Sequence, residues 1–357
     1  MGDWARIKAG ACEVAIDPAL GNIRRFLVKG REILHTAHWV GTEAAPLAGA
    51  PIDQHLAGDF FAAPFGASDV IDAPNHGWSA NSHWSGVTRS QDDDHAEISL
   101  TLDRDVMGAT ITKTLGLKDG QAVLYQTHEI SGGRGDLTFA HHPMFRMEAG
   151  GHLAFSPKRV ALTTAPALEP AHLLAYPARS TNLSAFPARD GGVCDLTRYP
   201  SATGHEDFVT LVEAEGATLG WTALSRSAEG DIIVVLKDAR VAPVTMLWLS
   251  NGGREYAPWD GRHTGVLGIE DGCAAGALGH AAASGDNAVA AEGVATALTL
   301  GADVRHTMRH AIAVFDAPDG FGPVADVTLE GDVLQVRGAC GETLQMAFDG
   351  AFFRDLT

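Results

Sequence analysis

Cysteine is scarce in this chain, and the four that occur, Cys12, Cys194, Cys273 and Cys340, stand far apart with no CxxC spacing. That argues against a zinc knuckle or a vicinal redox pair and suits reduced thiols. Positive charge is also short: 26 Lys and Arg face 44 Asp and Glu, a formal net charge of −18. A field of that sign repels nucleic acid, anionic lipid and phosphorylated ligands, so a neutral small molecule is the expected partner. No apolar run approaches the ~20 residues of a membrane helix. The N-terminal MGDWARIKAGAC lacks the basic start and apolar core of a secretory leader. The expectation is a cytoplasmic protein with no membrane partner, and a homodimer is left open. Neither a Pro/Ser-rich linker nor an internal repeat divides the chain, so residues 1–357 are read as one domain.

Long amphipathic periods are nearly absent, whereas glycine and proline are plentiful, 41 and 16 residues. Many short strands joined by turns follow from that balance. Regular alternation begins at His95: in HAEISLTL, Ile98, Leu100 and Leu102 share one face and Glu97, Ser99 and Thr101 the other. ATITKTLGL and AVLYQTHEIS continue as strands around the Asp119-Gly120 turn. FVTLVEAE, TLGWTAL, DIIVVLKD and VTMLWLS follow, and DVTLEGDVLQVRG with ETLQMAF closes the chain as a meander. Thr36 to Ser90 reads as a long irregular region, and residues 146 to 205 as loop-rich with little assigned. Cys273 to Gly293 is Ala-rich with room for one short helix. A dozen or more antiparallel strands with almost no helix predicts an all-β fold, a large antiparallel sandwich or barrel.

Three short stretches concentrate groups able to move protons. FAHHPMF, Phe139 to Phe145, ends an apolar strand with His141, His142 and Pro143. Imidazole titrates near neutrality, so a His held there can exchange a proton at cellular pH. NHGWSANSHW lies upstream and GVLGIEDGC far downstream, placing His76, Trp78 and Glu270 in aromatic or Gly-rich settings. In this order the motifs resemble those of the aldose 1-epimerase (galactose mutarotase-like) family. DPALGNIRRFLVKGREIL resembles that family's opening hairpin and GVATALTLGADVRHTMRHAI its closing strands, so the resemblance spans most of the chain.

The resemblance implies a twisted two-sheet β-sandwich whose concave face holds a monosaccharide, and interconversion of its anomers without metal or cofactor. It makes Glu270 the general base and His142 the general acid. His76 would hydrogen-bond the sugar near its ring oxygen, with Trp78 against the sugar's C–H face. Glu206 or Asp207, in GHEDF, would hold hydroxyls. The family's early Arg has no equivalent in GDFFAAPFG, where Asp59 would hold a hydroxyl instead; Trp248 and Trp259, either side of the NGGREYAPW loop, would form a wall of the site, and Arg254 would reach a hydroxyl. Two positions depart from the family: Met144 replaces the Tyr of His-Pro-Tyr-Phe, and Ala80 replaces the Arg found in relatives that act on phosphosugars. Two other readings compete. A metal-dependent sugar isomerase would use His76, His83, His142 and Glu270 as ligands, against which no HxH occurs. A carbohydrate-binding or sensor protein on the same fold would keep the aromatics and could lose Glu270 or His142.

Overall fold

The computed structural model describes residues 4–92, 94–147 and 149–354. Its strands are antiparallel and fall into two large sheets with three smaller ones beside them. The eight-stranded sheet runs in spatial order Ala178–Ser180, Lys158–Thr163, His205–Glu213, Val244–Asn251, Val266–Cys273, Phe139–His141 and Phe61–Ala62, with Met144–Arg146 also pairing to Val266–Cys273. The nine-stranded sheet is centred on Asp231–Asp238, the 19-residue strand Leu298–Asp316, and Val123–Leu137. The predicted all-β architecture is therefore the one observed.

Alternation explains the layers. Along Val266–Cys273, Leu267 and Ile269 join the apolar cluster that also holds Ile233, Val235 and Ile312 of the nine-stranded sheet. Val266 and its neighbours Met246 and Trp248 belong to a second cluster on the opposite face, with Trp39, Ile52, Phe60 and Phe65. The long region after Thr36 is thus a cover folded over the outer face of the eight-stranded sheet, built from short turns and the helix Gly77–Asn81. A third cluster packs Trp221, Ile232 and Val234 against the C-terminal three-stranded meander Val324–Glu330, Val333–Gly338 and Thr343–Ala347.

Between the two large sheets the core is not wholly apolar. Lys237 reaches Glu213 and Asp271, each at 3.0 Å, and Asp271 also meets Thr245 at 2.6 Å and His310 at 3.3 Å. Lys158 pairs with Glu213 as well, and His128, His141 and Gln126 extend this polar seam beneath the cleft.

The strands of HAEISLTL and its successors are found where alternation predicts them. Two regions hold more strand than predicted. Trp84–Gln91 is an edge strand exposed from Ser85 onward, so it carries no burial pattern to read. Gly151–Phe155 and Lys158–Thr163 lie within the proline-rich stretch, each too short for a clear period. The Ala-rich segment holds a four-residue helix, His280–Ala283.

Candidate active site

The cover and the outer face of the eight-stranded sheet enclose a cleft of about 450 Å³. On its floor His142 Nε2 lies 3.0 Å from Glu270 Oε1, their side chains only 5% and 2% exposed. His142 follows strand Phe139–His141, just where Pro143 interrupts the ladder before Met144–Arg146. Glu270 sits mid-strand between two glycines that make room for it. A Cβ on Gly272 would fall 2.1 Å from Phe139 O, so only glycine lets the two strands meet this closely. A Cβ on Gly268 would crowd Trp248 and stand 3.2 Å from Glu270 Oε1.

Strand alternation resolves the histidine pair. His141 faces the seam, stacked on His310 at 4.2 Å and edge-on to His128 at 4.8 Å, while His142 faces the cleft against Phe60 and Trp248. Burial pulls the His142 imidazole down, but the Glu270 carboxylate more than offsets this and its pKa is raised above 6.5. His76 lies edge-on to His142 at 5.5 Å. Its backbone is left-handed, φ 66°, and Gly77 follows at φ 69°, where a Cβ would fall 2.2 Å from Ala63 O. This is the local reason for the His-Gly pair. Burial, with His142 and Arg254 near, lowers the His76 pKa to about 3, so the ring is neutral. Gly66 N–H donates to His76 Nδ1 at 3.4 Å, which leaves the proton on Nε2 as a donor.

The remaining expected residues divide. Arg254 and Trp259 line the cleft, the guanidinium 4.3 Å from the Trp259 ring centroid. Glu206 stands behind them: its carboxylate accepts from Trp248 Nε1 at 2.6 Å and Ser250 Oγ at 3.0 Å, with Arg254 Nε at 3.5 Å. Burial raises its pKa to about 7. Asp59 is fully buried, accepting from the His142 backbone N–H at 3.0 Å and from Gln126 at 2.7 Å. It supports the backbone of His142 and is not among the residues that line the cleft. Asp207 points the other way from Glu206, capping Leu173 and Leu174 N–H and bonding His205. Trp78 also stands outside the cleft, under Arg104 at 4.1 Å with Nε1 on Asp72 O. Phe60, Phe65 and Phe208 supply aromatic wall instead. Phe60 and Phe65 belong to the glycine-bounded run GDFFAAPFG, a signal that sequence offers, whereas Phe208 has none.

Asp53 is a cleft residue that sequence reasoning missed. Burial raises its pKa to about 6, against the opposing pull of Arg254 and His142. A lone acid in a one-turn helix, Pro51–Gln54, offers no signal in sequence.

Among the described residues, Asp59, His141 and His310 bring possible metal-ligand atoms within 4.8 Å of one another. The two imidazoles are stacked only 7° from parallel, and a nitrogen lone pair lies in its ring plane, so both cannot aim at one ion. This arrangement suits a stacked buried pair rather than a metal centre.

No protein-family model and no curated protein matches the chain. Solved structures do. A provisionally named aldose 1-epimerase from Escherichia coli K12 superposes with a TM-score of 0.59 at 15% identity, over 87% of this chain and 98% of its own. One from Klebsiella pneumoniae gives 0.59 at 13%, over 86% and 77%. A galactose mutarotase related enzyme from Lactobacillus acidophilus gives 0.55 at 12%, over 88% and 98%. At these identities the likeness is one of fold, and the fold of this chain is the antiparallel β-sandwich of the galactose mutarotase-like proteins.

Proposed function

We propose that the chain is a cofactor-independent aldose 1-epimerase acting on a neutral sugar. The observation that carries this reading is the buried His142–Glu270 contact on the floor of a cleft walled by aromatic rings. O1 and the ring oxygen of an aldose share one carbon, so an acid and a base this close together can serve both atoms. Sugar entry parts the pair. The Glu270 carboxylate takes the O1 proton as His142 Nε2–H protonates the ring oxygen, and the C1–ring-oxygen bond breaks to give the free aldehyde. Rotation about C1–C2 turns the other face of the carbonyl toward the ring oxygen's hydroxyl. That hydroxyl then adds to C1, returning its proton to His142, while Glu270 returns the first proton to O1. No electrons leave the sugar and no Lewis acid is required.

Around this step, His76 Nε2–H is a donor suited to a sugar oxygen, and Arg254 and Asp53 can pair with hydroxyls. Phe60, Phe65 and Trp248 offer apolar surface to ring C–H groups. Anomeric exchange followed by NMR for a panel of neutral aldoses tests the proposal. Rates equal to the uncatalysed ones across the panel, with sugar binding intact, would instead indicate a carbohydrate-binding protein.

A further inference from the structure

Depth in the cleft is graded by chemistry. The titratable pair is buried at the floor, whereas the mouth carries large apolar side chains left in water: Leu47 is 63% exposed, Leu168 38% and Tyr256 54%. Among the described residues seven such side chains stand exposed, and these three surround one opening, each from a different segment. Scattered exposed apolar residues are ordinary; three converging on one cleft are not.

Two of the segments are tied together. Tyr256 OH donates to Glu169 Oε1 at 2.8 Å, and Arg254 Nε donates to the same oxygen at 3.0 Å. Glu169 follows Leu168 in the chain, so the tyrosine ring and the leucine are held at the mouth by one carboxylate. A fixed aromatic ring costs little entropy to bind against. The volume agrees: about 450 Å³ lies within the ~300–1,000 Å³ of pockets for drug-sized ligands, and a single hexose is smaller than such ligands.

Resting on the reading that anomers interconvert on His142 and Glu270, we propose that the mouth is a second sugar subsite. It takes the non-reducing ring of a reducing disaccharide whose free anomeric end lies on the floor. A pyranose offers an apolar C–H face for Tyr256, Leu47 and Leu168, while its hydroxyl edge meets water and Glu169. The carboxylate disfavours an anionic substituent here, and a purely aliphatic one would leave the Glu169–Tyr256–Arg254 bonds facing grease.

The experiment compares glucose and galactose with maltose, cellobiose and lactose, by quenching of tryptophan fluorescence for binding and by NMR exchange for turnover. At least one disaccharide is expected to bind roughly 10-fold more tightly than its reducing-end monosaccharide. In Tyr256→Ala and in Leu168→Ser the disaccharide-to-monosaccharide affinity ratio should fall toward unity. In Tyr256→Phe, which keeps the ring but loses its tether to Glu169, the ratio should fall less than in Tyr256→Ala and stay above unity. Binding without turnover would sink the epimerase reading and leave the subsite standing. Disaccharides that bind no better than monosaccharides would overturn the subsite whatever the turnover. So would a dimer that dissociates on sedimentation of Tyr256→Ala while the affinity ratio stays unchanged, since the rim would then be a subunit contact.

Discussion

In Glu270→Gln the carboxylate that chiefly raises His142 is gone while the burial that lowers it remains, so the imidazole pKa should fall relative to wild type. An NMR titration of the ring protons checks this directly. Anomeric exchange in the same variant should drop by roughly 100-fold or more, because the amide cannot accept the O1 proton. With His142 as the proposed acid, the wild-type rate would need it protonated, so the alkaline limb of the pH profile should lie above pH 6.5. His142→Asn should remove that limb with most of the activity; a limb that persisted there would assign the acid to another group. Motif order was enough to single out His142 over His141, but not Glu206 over Asp207. Adjacent strand residues face opposite sides, so a pair is resolved only by a motif or a register; the His-Pro-x-Phe run supplied a motif for the histidines and nothing supplied one for the two acids. Asp59 illustrates a different gap. A buried carboxylate bonded to the backbone of a cleft residue looks, in sequence, like any acid near a glycine.

At the scale of the strand, Val266–Cys273 carries Glu270 to the cleft and Asp271 to the seam. Burial would raise the Asp271 pKa, yet Lys237 and His310 hold it well below the usual carboxylate range. A depressed pKa stabilises the fold above the unfolded value of about 3.9 and ceases to do so as pH falls through the lower folded one. Removing the partner should therefore cost stability at neutral pH. Asp271→Ala is expected to lose about 3 kcal/mol in urea unfolding, with the difference from wild type shrinking in acid. Long alternating strands such as His95–Leu102 were legible because one face is buried and the other is not. The edge strand Trp84–Gln91 was not, because it is exposed from Ser85 onward and shows no alternation although its partner is the next strand, and the short strands after Gly151 were not, since their partners lie far away in the chain. The cover over the cleft was unreadable for the latter reason: its turns are fixed by contacts such as Ile52 N–H on Asn81 Oδ1.

For the whole molecule, charge bears on substrate choice. The −18 field, with Asp53, Glu169 and Glu270 lining or flanking the cleft, opposes a phosphate dianion, and Arg254 is already paired with Glu169. Each hexose 6-phosphate is expected to have a lower kcat/KM than its parent sugar; one phosphate ester preferred over its parent would refute this. Activity should also survive EDTA, because acid and base suffice and the His141–His310 stack does not converge on an ion. The seam between the sheets has a calorimetric consequence. Polar groups exposed on unfolding lower the heat capacity change where apolar groups raise it. The side chains of Lys158, Lys237, Glu213 and Asp271 and three histidines occupy interior volume that aliphatic side chains would otherwise fill. The heat capacity increment of unfolding should thus fall below the common ~12–15 cal/mol/K per residue, giving a flatter stability curve with temperature.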